Sequence, residues 1–258
     1  MASLPSKTLK ALQLSIYFLD ARKVYERKGL LTQGKQRQQS MNMNKFNAKG
    51  IFFDLDGTIV DSREAYCAAA RTAFQTIGQE PPEVKDALEI PRRLEKKQPI
   101  SDIVKGDTGR FLDVYLEAYY SVTEFKTRLL PNVSTVLENL SSKAKLALIT
   151  MRSVPKEAII KELDRFGIAK CFDYVVTALD TQKPKPSPEA LMKCVKALDV
   201  QICNCVIVGD SINDVKAGKA AGARTVAVLS GLFSREEFVR EHPDLILNDA
   251  TTLPNFIG

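Results

Sequence analysis

The sequence predicts an α/β fold, a doubly wound parallel sheet with a helical segment inserted after its first strand. Two observations carry the prediction. From residue 50 onward, short apolar runs of strand length alternate with helix-patterned stretches, as in a parallel sheet covered on both faces. Between the first run and the second lie about ninety residues, 55–145, with helical patterning and no strand-like run.

The strand-length runs are Gly50–Phe53, Leu146–Ile149, Tyr174–Val176, Cys205–Val208, Thr225–Val228 and Leu245–Leu247. The helices between them carry start and stop signals. Over 155–166, Pro155 stands near the first turn, Gly167 follows the last, and Ile159, Ile160, Leu163 and Phe166 form an apolar stripe. A helix over 187–198 opens on Ser187-Pro188, a cap followed by proline, and one over 213–221 closes at Gly222. In the insertion, 64–77 and 110–125 are helix-patterned, and Asp61 with Glu64 three residues later has capping-box spacing. Asn132 to Leu140 predicts a helix leading back into the sheet. An insertion here would cover the carboxyl ends of the strands, where open α/β sheets bind ligands. The expected layout is a basic extension over 1–45, a core from 46–62 and 131–258, and a helical cap over 63–130.

The chain has 258 residues and a net charge of +6. Residues 1–40 hold eight Lys/Arg against two acids, so the remainder is neutral and offers no basic stripe for nucleic acid. Residues 7–24 would form an amphipathic helix, and a basic, acid-poor leader also has the character of an organelle transit peptide. The simpler account starts the protein at Met41 or Met43, a few residues before the first strand. No run approaches the roughly 20 apolar residues that span a bilayer. Five cysteines without a CxxC pair, and a single His242, do not suit zinc; the cysteines read as small core residues of a cytoplasmic protein.

Chemistry gathers at the strand ends. The first strand delivers Asp54-Leu55-Asp56-Gly57-Thr58, and alternation points Asp54 and Asp56 the same way. Neighbouring carboxylates repel unless a cation or proton intervenes. With Mg²⁺ one can be ligand and nucleophile while the other trades a proton with the leaving group. Read alone, the segment is also an ordinary acidic turn. Gly209-Asp210-Ser211-Ile212-Asn213-Asp214 brings further acids to the same edge, and Mg²⁺ takes such hard oxygen ligands. A phosphate dianion needs donors and positive charge as well. Thr150 closes the second strand, with Arg152 two residues on, and Lys183 and Lys185 stand in a segment stiffened by Pro184, Pro186 and Pro188.

These motifs, in this order, resemble the haloacid dehalogenase superfamily, in its phosphoglycolate-phosphatase-like branch with a helical cap, over about residues 48–250. Asp54 to Thr58 is similar to the family's DxDGT motif, Thr150 to its second-motif Ser/Thr, Lys185 in Lys-Pro-Ser-Pro to its lysine, and Gly209-Asp210 through Asp214 to GDxxxD. The resemblance implies attack by Asp54 on a phosphoryl group, a phosphoaspartate, and proton transfer by Asp56. It also implies phosphoryl binding by Thr150 and Lys185, with Thr58 and Arg152 counted beside them, and Mg²⁺ held by Asp54, the carbonyl of Asp56, Asp210 and Asp214. Arg152 departs from the Asn-Lys or Ser-Lys of relatives. The implied substrate is a small phosphorylated metabolite; pyrophosphatase, sugar phosphomutase and a non-catalytic binding module are the competing readings. Oligomeric state is not readable from the sequence.

Overall fold

The computed structural model describes residues 45–258. The predicted helix over 7–24 and both accounts of the extension lie outside them. Residues 46–258 form one compact unit. At its centre is a six-stranded sheet made of β1 (Gly50–Phe53), β4 (Lys145–Ile149), β5 (Tyr174–Val176), β6 (Cys205–Gly209), β7 (Arg224–Val228) and β8 (Leu245–Leu247). All neighbours are parallel, in the order β5-β4-β1-β6-β7-β8. From β1 the chain runs outward through β4 to β5 on one side, then crosses back to β6 on the other side of β1. The strand order reverses there, a switch point that opens the crevice in which such sheets bind ligands. Phe53 lies level with Leu148 of β4 and Val208 of β6, which brings the residues after these three positions to one edge.

The strands are apolar on both sides because both sides are covered. Ile51, Phe53, Leu146, Leu148, Val206 and Val208 pack with the helices α4 (Val133–Ser141) and α5 (Lys156–Arg165). Phe52, Ala147, Ile149 and Ile207 face the other way, onto α6 (Glu189–Leu198) and α7 (Ile212–Ala221). Cys171, Cys194 and Cys205 are buried.

The segment after β1 is helical, as predicted, and has its own apolar cluster. In α1 (Arg63–Thr76), Ala65, Ala69, Ala70 and Ala73 present a smooth face to Phe111, Tyr115 and Tyr119 of α3 (Thr108–Lys126). Phe74 meets Phe111 edge to face at 5.0 Å. Two features were not expected. The helix α2 (Val84–Glu95) carries Pro91 in its interior, the residue that normally ends a helical pattern. A two-residue antiparallel pair, β2 (Val60–Asp61) with β3 (Arg128–Leu129), ties together the two chain passages into the segment. No helix among the described residues is long and apolar enough to cross a membrane.

Local signals were mostly obeyed. α5 starts right after Pro155, and Gly167 follows at φ +72°. α6 starts at Glu189, two residues later than expected. Ser211 caps α7 in a reciprocal capping box with Asp214, and Gly222 closes it at φ +86°. The Asp61–Glu64 box does not form: the Asp61 carboxylate accepts from Arg63, the cap position is Ser62, and the Ser62 hydroxyl turns to Asp56.

Candidate active site

Asp54 directly follows β1, and its N–H donates to Val208 O of β6 at 2.9 Å, which fixes it at the strand end. The chain then bends at Gly57, with φ +79°. A side chain there would run into Asp210, since an added Cβ would lie 2.3 Å from its Oδ2. Gly231, after β7, is tighter: its Cβ would fall 1.6 Å from the same oxygen. Asp210 is thus walled in by glycine backbone on two sides.

Lys185 is buried and donates to Asp54 Oδ1 at 2.5 Å, Asp214 Oδ1 at 2.6 Å and Ile149 O at 3.3 Å. Lys183 is exposed, with its backbone N–H donating to Glu189. Of the two lysines left open by the sequence, only Lys185 reaches the acids.

Carboxylate oxygens of Asp54, Asp210 and Asp214 lie within 4.8 Å of one another, all three buried. Burial pushes the Asp54 carboxyl up to about 8, and Asp214 adds to this while Lys185 pulls against both. Burial, then the charges of Asp54, Glu95 and Asp214, push Asp210 well above the usual carboxylate range. One ammonium facing three carboxylates leaves the group short of positive charge, and the hard oxygen donors suit a divalent cation such as Mg²⁺. The Asp56 carboxylate is not part of this cluster.

Asp56 has a different setting. Arg152 grips it at two points, Nε to Oδ2 at 2.8 Å and Nη2 to Oδ1 at 2.6 Å. Tyr119 OH donates to Oδ1 at 2.8 Å, and the Ser62 hydroxyl donates to it as well. Burial pushes Asp56 up, but Arg152 and these hydrogen bonds outweigh it and hold the carboxyl below its ordinary value. The far side of Arg152 donates to Glu162 at 2.5 Å, and Glu162 accepts from Thr127 Oγ1 at 2.7 Å.

A cavity of about 150 Å³ opens against Asp54, Asp56, Arg152 and Lys185, with Tyr66, Leu94, Glu95 and Tyr115 on its helical side. The two threonines expected at the phosphate have hydroxyls that already hold contacts. Thr58 is fully buried and donates to Asp210 Oδ1 at 3.2 Å, so its hydroxyl braces an acid and does not line the cavity. Thr150 directly follows β4, its Oγ1 accepting from the Arg152 N–H at 3.2 Å. Arg152 does line the cavity, but both faces of its guanidinium are engaged by carboxylates.

Sequence reasoning missed Glu95, Tyr119, Glu162 and Gly231. Glu95, the last residue of α2, accepts from the Ser211 hydroxyl, and its carbonyl accepts from Asn213 Nδ2 at 2.9 Å. Burial pushes its carboxyl up to about 7, against the pull of Ser211. Arg92 pairs with Glu89 and Glu237, and Arg93 with Glu89 and Asp102.

A parallel sheet that gathers a buried lysine and three carboxylates at its switch point is the framework of an α/β enzyme. The chain matches the model of the haloacid dehalogenase-like hydrolases over residues 51–228 and belongs to that family. It is 32% identical over 253 residues to a phosphoglycolate phosphatase of Shigella boydii, covering 84% of this chain and 95% of that one. Against a phosphoglycolate phosphatase of Escherichia coli K12 the identity is 30% over 242 residues, with the same coverage. A haloacid dehalogenase-like hydrolase from Streptococcus pneumoniae superposes with a TM-score of 0.68 at 21% identity, over 79% of this chain and 95% of that one.

Proposed function

We propose that this protein is a phosphatase that hydrolyses a small phosphate monoester, with Asp54 as nucleophile and Mg²⁺ as cofactor. The relatives named phosphoglycolate phosphatase make phosphoglycolate the first substrate to try. The observation that carries the reading is the placement of Asp54. It is the member of the acidic cluster that also borders the cavity, and Lys185 contacts it directly.

In this reading Asp54 Oδ attacks phosphorus in line as the bond to the leaving oxygen breaks, giving an aspartyl phosphate and an alcohol. Asp56 protonates the departing oxygen. It later takes a proton from the water that releases phosphate and restores Asp54. The arriving phosphoryl dianion raises the proton affinity of Asp56 by like-charge repulsion, against the grip of Arg152. Lys185 neutralises phosphoryl oxygens beside Asp54. Thr150, directly after β4, offers its hydroxyl to a further phosphoryl oxygen, whereas Thr58 serves by fixing Asp210. Asp54, Asp210 and Asp214, with the carbonyl of Asp56, would hold Mg²⁺, which supplies charge stabilisation to the transferring group when bound. Residues 63–130 act as a cap that closes the reaction from water.

Phosphate release from p-nitrophenyl phosphate and phosphoglycolate tests the reading. Asp54→Asn is expected to lose at least about a thousandfold in kcat, and EDTA to abolish release reversibly. Appreciable turnover by the variant would remove Asp54 as nucleophile.

A further inference from the structure

The cavity beside Asp54 has room beyond the phosphoryl position, and its remaining walls belong to the leaving group. Lys185 and Arg152 are the cations that line it among the described residues, and each already faces two carboxylates. On the helical side, among the described residues, Glu95 is the charged side chain in an otherwise aromatic and aliphatic wall. Glu95 presents a carboxylate held in place by Ser211 and by the Asn213 contact to its carbonyl. Tyr115 is 2% exposed, and its hydroxyl has no hydrogen-bond partner among the described residues. That hydroxyl has no accessible surface, so Tyr115 presents its ring to the chamber, and the polar wall there is Glu95.

Building on the phosphatase reading above, we propose that this chamber selects phosphate esters of hydroxyl-bearing alcohols, such as polyols and sugars, over phosphorylated carboxylic acids, with Glu95 as the specificity-determining residue. A hydroxyl can donate, so it complements the acceptor carboxylate of Glu95 on the chamber wall. A second carboxylate offers only acceptors. Above pH about 8, where Glu95 is ionised, it meets a like charge, and the cavity's cations are already engaged. Phosphoglycolate, the substrate named for the relatives, is therefore a poor fit for this chain. The size agrees: about 150 Å³ admits a leaving group of a few carbons.

The test compares kcat/KM for glycerol 3-phosphate and 2-phosphoglycolate on the full chain with Mg²⁺ at a pH where Glu95 is ionised, with p-nitrophenyl phosphate as a generic ester. Wild type is expected to favour glycerol 3-phosphate by at least about tenfold. Glu95→Gln is expected to raise kcat/KM for phosphoglycolate by about tenfold, because a like charge is removed. Glu95→Asp, which keeps the charge, retains the wild-type preference. A structural lesion would lower both substrates together and cannot produce the gain. Wild-type preference for phosphoglycolate, or a Glu95→Gln variant that loses on both substrates alike, overturns the inference while leaving the phosphatase reading intact. Absence of release from all three esters overturns both.

Discussion

Two nests of carboxylates stand side by side at the strand ends, and they are charged in different ways. Around Asp56, every oxygen has a donor. Arg152 bridges Asp56 to Glu162, and Tyr119, Ser62 and Thr127 fill the remaining positions. Around Asp54, a single lysine serves Asp54 and Asp214, and Asp210 receives only the Thr58 hydroxyl at 3.2 Å. The first nest is finished by the protein's own groups. The second needs a cation or a proton to be complete, and the raised carboxyls of Asp54 and Asp210 express that need. The proposed function rests on the nest where the fold leaves charge uncompensated.

The contrast has opposite consequences for stability. Arg152→Ala leaves Asp56 and Glu162 buried without their partner, and is expected to cost about 3–5 kcal/mol in urea denaturation. Asp210→Asn removes a carboxylate from the crowded nest. In EDTA it is expected to stabilise the protein by about 1–2 kcal/mol while phosphate release is lost. If the two substitutions moved stability in the same direction, the distinction between the nests would fail.

A smaller effect concerns the contact that docks α2 against the core. Glu237, in the last helix (Arg235–Glu241), pairs with Arg92 at 2.6 Å and Lys96 at 3.1 Å. Burial pushes its carboxyl up, but Arg92, the Ser234 N–H and Lys96 bring it down from 4.5 to about 2. A lowered carboxyl stabilises the fold above its unfolded value and loses that contribution as pH falls toward its folded value. Glu237→Gln is therefore expected to cost about 1 kcal/mol at neutral pH, a modest figure for a solvent-screened pair. The deficit against wild type should shrink between pH 4.5 and about 2, as followed by thermal unfolding across pH.

The difference between the nests also explains what could be read in the chain beforehand. Asp54 and Asp210 directly follow strands announced by their own apolar runs, and Asp214 opens the helix after the second of these, so local pattern brought the three acids to one edge. The prolines around Lys185 separated it from no neighbour in the sequence; burial distinguishes it from Lys183. The partners of Asp56 were hidden because they come from distant helices with ordinary helical patterns. Tyr119 stands in an aromatic stripe that reads as core, and Glu162 reads as a solvent-facing helix position. Glu95 was lost with its helix, since Pro91 masked α2. Ion pairs across a fold carry no periodicity, so only the assembled structure shows them.

The central claim is that the charge-deficient nest places Asp54 to receive a phosphoryl group. Asp56→Asn should trap that state with p-nitrophenyl phosphate and Mg²⁺, because this leaving group departs without an acid while the water step lacks its base. After an acid quench, peptide mass spectrometry is expected to find one phosphoryl group on Asp54. Phosphate release with the phosphoryl group on another residue, or on none, would contradict the account.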